Sequence, residues 1–354
     1  MRVGLYYNTP VEQVIFSPVH GKYDIIGDGQ WLGQLSEGEL LYISWTDTSV
    51  IVNRQGKSWE RLDSVRLVTS REGSRFRLRP LGRSLEPRIY PGNCLLAPGA
   101  GGLLMVDEVP ENYYLAGVLR AEGGPASPRE YYKAQAVLAR TFLVANPHRH
   151  GGEGFQVCDE THCQVYHGVD VPEKTIMKAI RQTRHLILTD RRGRPIMPAY
   201  HSNSGGETAD AGQVWLKKVP YLTAHNDPYS KKGPHYRWKR EIPLQEWIAW
   251  LEKQGYRNNI PVIRLSDNRP HRTYMYRAGN LNIPMQKIRE DWQLPSAFFS
   301  VSVQGNRVIL YGKGYGHGLG LSQEGAMEMA RQGYSYKKIL EFYYPGTIIS
   351  KEKR

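Results

Sequence analysis

Over residues 1 to about 105 apolar and polar positions alternate in short runs: VGLYY, QVIF, KYDIIGDG, ELLYISW, SVIVNRQGKSW, RLDSVRLV and SRFRLRPL, each cut off by Gly, Asn, Asp or Pro. A period of two turns one face of each run toward a core, and the breakers supply turns, so the pattern predicts an all-β module over residues 1–107. After the glycine-rich stretch Pro98-Gly99-Ala100-Gly101-Gly102 and the pair Val109-Pro110, the period becomes helical. Ser127 and Glu130 make an S-x-x-E capping pattern with Pro128 at the first helical position, and Tyr131, Ala134, Leu138, Phe142 and Ala145 then recur along one helix face. Glu122 falls on the glycine-proline turn between this helix and the one before it. Lys133 and Arg140, seven positions apart, share a second, charged face of the later helix. Farther on, HLILTD and PIMPAY predict strands and SVSVQGNRVILYG a hairpin, while 322–331 and 334–344 predict two closing helices, the first stopped by Gly333. The expected fold class is α+β, an all-β N-terminal module (1–107) followed by a mixed α/β domain (108–354).

A length of 354 residues fits two domains. No run of about 18 apolar residues occurs, so no segment is expected to span a membrane. The N-terminus, MRVGLYYNTPVEQVIF, lacks the basic region, apolar segment and cleavage site of a secretory signal, which predicts either a cytosolic chain or a mature form whose signal has been removed. The net charge of +13 suits an anionic partner such as a wall polymer or nucleic acid. Lys and Arg are scattered without a basic-aromatic signature, however, so nucleic acid is not the expected partner. Three cysteines make no disulfide framework, and Cys94, among Asn93, Leu95 and Leu96, reads as a buried small hydrophobe.

His150, Cys158, His162 and Cys163 fall in one short segment, and two thiolates with two imidazoles are the ligand set of a closed tetrahedral zinc site. His148 and His167 compete for the imidazole places. With four protein ligands no position stays open, so the zinc is expected to be structural. The stretch Tyr200-His201-Ser202-Asn203-Ser204-Gly205-Gly206 offers hydroxyls, an amide and an imidazole suited to sugar hydroxyls and acetamido groups, though the same composition describes an ordinary turn. No G-x-S-x-G elbow accompanies Ser202, which argues against a serine nucleophile. Gly314-Tyr315-Gly316-His317-Gly318 lacks the ending of a phosphate loop, and its glycines are expected to let the backbone bend closely around Tyr315 and His317. His317 reads equally as a core histidine. Glu122 invites a catalytic role, against the commoner arrangement of a solvated turn carboxylate beside a wet helix face.

In this order the blocks resemble the stage II sporulation protein D family, lytic transglycosylases of cell-wall peptidoglycan. Residues 133–141 follow the family's K-A-Q-A-V-x-A-R-T helix with a Glu in the preceding turn, and Cys158–Tyr166, Tyr200–Gly206 and Gly314–Gly318 come where the family has them. The resemblance covers residues 108–354. It implies non-hydrolytic cleavage of glycan strands between N-acetylmuramic acid and N-acetylglucosamine, leaving 1,6-anhydro-muramyl ends, with Glu122 as the general acid/base. One carboxyl serves both proton transfers, unlike the carboxylate pair of ordinary glycosidases. As a second acid, Asp159 and Glu160 have no position that the sequence assigns. Lys133, Arg140, Tyr200, His201, Ser202, Ser204, Tyr315 and His317 are implied to hold substrate. Zinc at the Cys/His segment, peptidoglycan strands as partner and a cell-envelope location with the signal removed are implied as well. Relatives carry Met-Pro after the Glu, whereas Gly123-Gly124-Pro125 follows here with the spacing to Lys133 unchanged. That looser turn favours the alternative, a non-catalytic peptidoglycan binder that enhances a wall amidase. A zinc hydrolase would need an open metal position and an H-E-x-x-H type spacing, which the chain lacks.

Overall fold

The computed structural model describes residues 1–82, 84–257, 265–279 and 281–352. Two compact units emerge, Met1–Ile187 with Lys351–Arg354, and Leu188–Ser350.

The first unit opens with twelve strands: β1 (Arg2–Gly4), β2 (Gln13–His20), β3 (Tyr23–Gly27), β4 (Gln30–Leu35), β5 (Leu41–Thr46), β6 (Ser49–Arg54), β7 (Lys57–Leu62), β8 (Val65–Val68), β9 (Arg75–Pro80), β10 (Arg88–Pro91), β11 (Asn93–Gly99) and β12 (Gly102–Glu108). One sheet runs β10-β9-β2-β5-β6-β7; the other runs β1-β12-β11-β8-β3-β4. Alternation does what the pattern predicts, burying every second residue of β3 and β9. Phe16 of β2 stacks on Phe76 of β9 at 5.0 Å, and Tyr23 of β3, from the other sheet, meets Phe16 edge-on at 5.3 Å. The core of the module therefore lies between the sheets, where these rings are fully buried. The glycine-rich stretch is a hairpin turn inside the second sheet, with Gly99 opposite Gly102 and Leu96 opposite Met105. A side chain at Gly102 would meet the Val11 carbonyl at 2.8 Å, so close backbone approach selects glycine there.

Strands give way to helices where the periodicity changes, β12 ending at Glu108 and helix α1 (Glu111–Gly123) following. The compact units divide elsewhere because the next segment returns to the β-module. Val157–Cys158 adds an outer strand parallel to β1. The buried Asp159 accepts the Tyr6 and Tyr7 amides at 2.7 and 3.2 Å and the Arg88 guanidinium at 2.8 Å. Tyr166 donates to the buried Asp107 at 2.7 Å. Helix α2 (Arg129–Ala145) begins one residue later than the capping pattern places it, because Pro128, at ψ 143°, is the extended N-cap rather than the first helical residue. Its middle does not have the expected two faces: from Tyr131 to Thr141 every residue but Lys133 is buried, Arg140 included. Helix α3 (Lys174–Gln182) packs beside α1 and α2.

The second unit contains the antiparallel sheet Arg237–Pro243, Arg307–Lys313 and Phe299–Gln304, the last two forming the expected hairpin. Helices Leu244–Lys253 and Met285–Asp291 cover it through Trp247, Leu251 and Ile288. The Trp-rich segment thus supplies core, Trp247 lying 5.1 Å from Trp250 and 5.7 Å from Trp292. PIMPAY forms no continuous strand: Pro195 makes a single bridge to Thr189, and only Tyr200–His201 pairs, parallel to Leu321–Ser322. Two prolines in that run remove ladder donors. The closing helices are Gln323–Arg331, capped by the Ser322 hydroxyl on the Gly325 amide, and Tyr336–Tyr343, capped by Ser335. Among the described residues no helix is long and apolar enough to cross a membrane.

Candidate functional site

Glu122 lies in the last turn of α1 rather than in the loop after it, the helix ending at Gly123 with Gly124 at φ 71°. The loop is clamped. Ser127 Oγ donates to the Gly123 carbonyl at 2.6 Å, and the Tyr132 hydroxyl donates to the Gly124 carbonyl at 2.5 Å while accepting the Ser127 amide at 2.9 Å. A tyrosine of α2 therefore holds the Gly-Gly-Pro turn that sequence alone makes look loose. Glu122 is partly exposed, and its Oε1 accepts the Val165 amide at 3.2 Å.

Of the two cations assigned to substrate, Lys133 is partly exposed and pairs with Glu130 at 2.6 Å. Arg140 is placed differently from expectation. Its side chain is 2 % exposed; Nε donates to Glu111 at 2.8 Å and Nη1 to the carbonyls of Thr183 and Leu186 at 2.8 and 3.1 Å. The guanidinium closes the end of α3 and the turn behind it. The helical spacing that suggested a shared face with Lys133 says nothing about which face is covered.

His150, Cys158, His162 and Cys163 come together as expected, with one donor atom from each lying within 4.8 Å of all the others. Cys163 Sγ is 3.4 Å from His150 Nε2 and 3.7 Å from His162 Nδ1, and Cys158 Sγ is 3.7 Å from that same Nδ1. Both thiols are free. The hydrogen bond from Cys158 lowers the Cys163 thiol to about 7, against burial, and raises Cys158 in turn. His150 Nδ1 meets Glu153 at 2.6 Å, which orients that ring from outside the cluster, whereas His162 Nε2 accepts from the Arg149 guanidinium at 3.0 Å. The four donors suit a divalent metal ion. His148 and His167 stand outside this set. Val165, which holds Glu122, follows Cys163 by two residues.

In the second unit the Tyr200–Gly206 and Gly314–Gly318 loops pair directly: the Asn203 amide donates to the Tyr315 carbonyl at 3.1 Å and the Tyr315 amide to the Asn203 carbonyl at 2.8 Å. The approach requires glycine at 314, where φ is 78° and a side chain would meet the Asn203 carbonyl at 2.5 Å. This is the close bending expected around Tyr315 and His317. Tyr315 is 47 % exposed, and Tyr200, Ser202 and His317 are partly exposed. His201 and Ser204, assigned to substrate, instead point inward. Ser204 Oγ donates to Asp227 at 2.7 Å and lies 2.9 Å from Ser230 Oγ, while Tyr343 also donates to Asp227, at 3.1 Å. His201 Nδ1 donates to the Leu319 carbonyl at 3.0 Å, leaving Nε2 buried and without a hydrogen-bond partner among the described residues. Burial, with His317 beside it, holds the His201 imidazole well below its usual range. Burial and then Arg289 push His317 down to about 4, and its Nδ1 accepts the Leu319 amide at 3.0 Å. Both rings are neutral near pH 7. Behind the loop the buried Arg272 donates to the carbonyls of Ser204 and Glu207 at 2.8 and 3.0 Å.

Sequence reasoning offered the Asn203 amide to substrate and missed Asp227, Arg272 and Glu324. Asn203 Nδ2 donates to Glu324 at 2.6 Å and the His235 ring contacts Glu324 at 2.5 Å, below Tyr315, whose ring lies 5.1 Å from that of His235. Asn203 lay inside a singled-out stretch; the others lie far from it in sequence, and no local signal marks them.

A family described as Stage II sporulation protein matches residues 100–189. Stage II sporulation protein D of Bacillus amyloliquefaciens is 33% identical over 261 residues, covering 69% of this chain and 75% of that protein. Stage II sporulation protein D of Bacillus subtilis (strain 168) is 30% identical over 263 residues, covering 69% and 76%. A protein named amidase enhancer, of the same Bacillus subtilis strain, is 28% identical over 293 residues, covering 67% of this chain and 40% of its own length.

Proposed function

The chain belongs to the stage II sporulation protein D family, and from that premise we propose that it is a lytic transglycosylase cleaving peptidoglycan glycan strands between N-acetylmuramic acid and N-acetylglucosamine. The observation that carries this reading is the partly exposed Glu122 in the last turn of α1, held by the Val165 amide and followed by a loop that Tyr132 clamps. In the proposed reaction its carboxyl protonates the leaving glycosidic oxygen. The resulting carboxylate then takes the proton of the muramyl C6 hydroxyl, whose oxygen closes on the anomeric carbon without water. Lys133, the one partly exposed residue between Tyr131 and Thr141 of α2, is assigned to substrate together with Tyr200, Ser202, Tyr315 and His317. Arg140, His201 and Ser204 are assigned to holding the framework.

Zinc is the proposed metal of the Cys/His cluster. A tetrahedron with Zn–S of about 2.3 Å and Zn–N of about 2.1 Å has S···N edges of about 3.6 Å, and the three close pairs here measure 3.4 to 3.7 Å. His150 would bind by Nε2, with Glu153 fixing its tautomer, and His162 by Nδ1 once its proton sits on Nε2 and the Arg149 guanidinium no longer donates there. The ion would supply cross-linking rather than chemistry, stiffening the loop from which Val165 reaches Glu122. Acting on wall polymer places the protein in the cell envelope. A second reading, a binder that holds glycan for a wall amidase, is favoured by the likeness to the amidase enhancer. Digestion of purified glycan strands and mass measurement of the ends tests both: anhydro-muramyl ends, one water lighter than hydrolysed ones, are expected. Tight binding with no new ends would overturn the enzyme reading in favour of the binder.

A further inference from the structure

One cleft of the second unit, of about 1030 Å³, has no part in the reaction just described. A turn from Asp190 to Arg194 and the segment from Trp215 to Tyr221 form its walls. Arg191, Arg192, Arg194, Lys217 and Lys218 line it against a single carboxylate, Asp190. That carboxylate is already used: Asp190 accepts the Arg192 and Arg194 amides at 2.9 and 3.0 Å and the Arg194 guanidinium at 2.8 Å. Among the described residues Arg191, Arg192, Lys217 and Lys218 meet no acidic side chain, and all four are exposed. A concave surface of one charge concentrates anions.

The cleft also presents ring faces. Trp215 is 39 % exposed, and Tyr221, its hydroxyl accepting the Met197 amide at 2.9 Å, stands on the same wall. The Trp215 ring lies 6.2 Å from that of His317, which joins the cleft to the paired Tyr200–Gly206 and Gly314–Gly318 loops. Between Trp215 and Lys217 the backbone is strained: Leu216 sits at φ 55° and is 89 % exposed, a conformation unfavourable for a branched residue and one that no burial of its side chain explains. Its effect is to carry the flanking Trp and Lys onto the cleft wall.

We propose that this cleft is a strand-holding subsite for an acidic N-acetylated glycan, with sugar rings on Trp215 and appended carboxylates on Arg191, Lys217 and Lys218. Flat sugar faces suit an exposed indole, and arginine and lysine suit carboxylates. A polyol phosphate chain would satisfy the cations and leave the indole without a ring face to cover. The subsite rests on the proposed action on glycan strands, but it concerns binding alone.

The test uses the full chain carrying Glu122→Gln, so that nothing is cut and the reaction can fail while the subsite stands, or the reverse. Binding is measured at low and high salt to strands with free lactyl carboxylates, to strands carrying stem peptides, to neutral chitohexaose and to poly(glycerol phosphate). Adding Arg191→Gln, Lys217→Gln and Lys218→Gln is expected to weaken at least one acidic strand about tenfold at low salt, since exposed charge contacts are individually small. That loss should shrink at high salt and leave chitohexaose unaffected; the strand that loses affinity identifies which carboxylate is read. Trp215→Ala should weaken all the glycans, neutral and acidic alike. The three cations are exposed, and an unchanged melting temperature verifies that the triple variant is folded. Wild-type affinity of the triple variant for both acidic strands overturns the proposal. So does equal loss on chitohexaose, or poly(glycerol phosphate) binding more tightly than either strand.

Discussion

Truncating Arg140 to alanine separates a residue that serves the fold from one that serves the substrate. In Arg140→Ala the carbonyls of Thr183 and Leu186 lose charged donors at 2.8 and 3.1 Å. The Thr183 carbonyl keeps the Leu186 amide at 3.0 Å and the Leu186 carbonyl is part-buried, so what is lost is two hydrogen bonds from a charged group, about 1.5–3 kcal/mol each and, with that partial exposure, about 2–5 kcal/mol together. The Glu111 pair adds little: that side chain is 42 % exposed, and such pairs are worth about 0–1 kcal/mol. Taking the middle of these ranges, the loss is about 3–5 kcal/mol. At about 2–4 °C per kcal/mol for a unit of this size, Tm should fall by roughly 6–20 °C. Arg140→Lys keeps the charge and the stem but replaces a fork with a single ammonium, and should fall between the two. Calorimetry of the Met1–Ile187 transition in the full chain gives the stability, and strand binding well below that transition gives the function. If Arg140→Ala melted like the wild type while losing its glycan affinity, the buried contacts would not be what the residue is for.

Protein purified without chelator should carry about one zinc per chain, and Cys158→Ser with Cys163→Ser should remove both the metal and a cooperative part of the stability; metal-free protein of full stability would refute the site. Glu122→Gln should cut turnover by at least about 10²-fold while strand binding persists, and wild-type rates of anhydro-end formation in this variant would remove Glu122 from the reaction. Acid should weaken the second unit. His201 and His317 are held neutral when folded, below the unfolded value of about 6.5, so the unfolded chain binds more protons as pH falls from there toward the folded value, about 4 for His317. Stability is therefore complete above pH ~6.5 and is lost on the way down, by at most about 3 kcal/mol for the partly exposed His317; a urea midpoint for this unit that stays level between pH 7 and 4.5 would refute it.

Local periodicity is enough for strands such as β3 and β9, because a half-buried strand writes its environment into every second residue. It is also enough for the end of the β-region near residue 108 and for the closing helices, whose serine caps are local chemistry. The convergence of His150, Cys158, His162 and Cys163 was legible because the four come from one short segment, and the pairing of the two glycine-rich loops was legible only as a need for close approach. What stayed hidden depends on partners far away in the chain. The glycine-rich stretch at 98–102 stands just before the change of period and is a hairpin turn within the sheet, since only the sheet around it decides whether a turn stays inside a module. Glycines at 123 and 124 look loose until Tyr132 is seen to clamp them.

By itself the sequence singled out the candidates for the chemistry: Glu122, the Cys158 and Cys163 thiols with their histidines, and the loops at Tyr200 and Tyr315. Tertiary structure alone decided which of them face outward. Arg140 became a buried cation because α3 ends against it, and Ser204 became a support because Asp227 and Tyr343 close over its hydroxyl. Spacing along a helix or a loop sets which side chains are neighbours, whereas burial depends on what the rest of the chain brings to that side, and only a folded core fixes that.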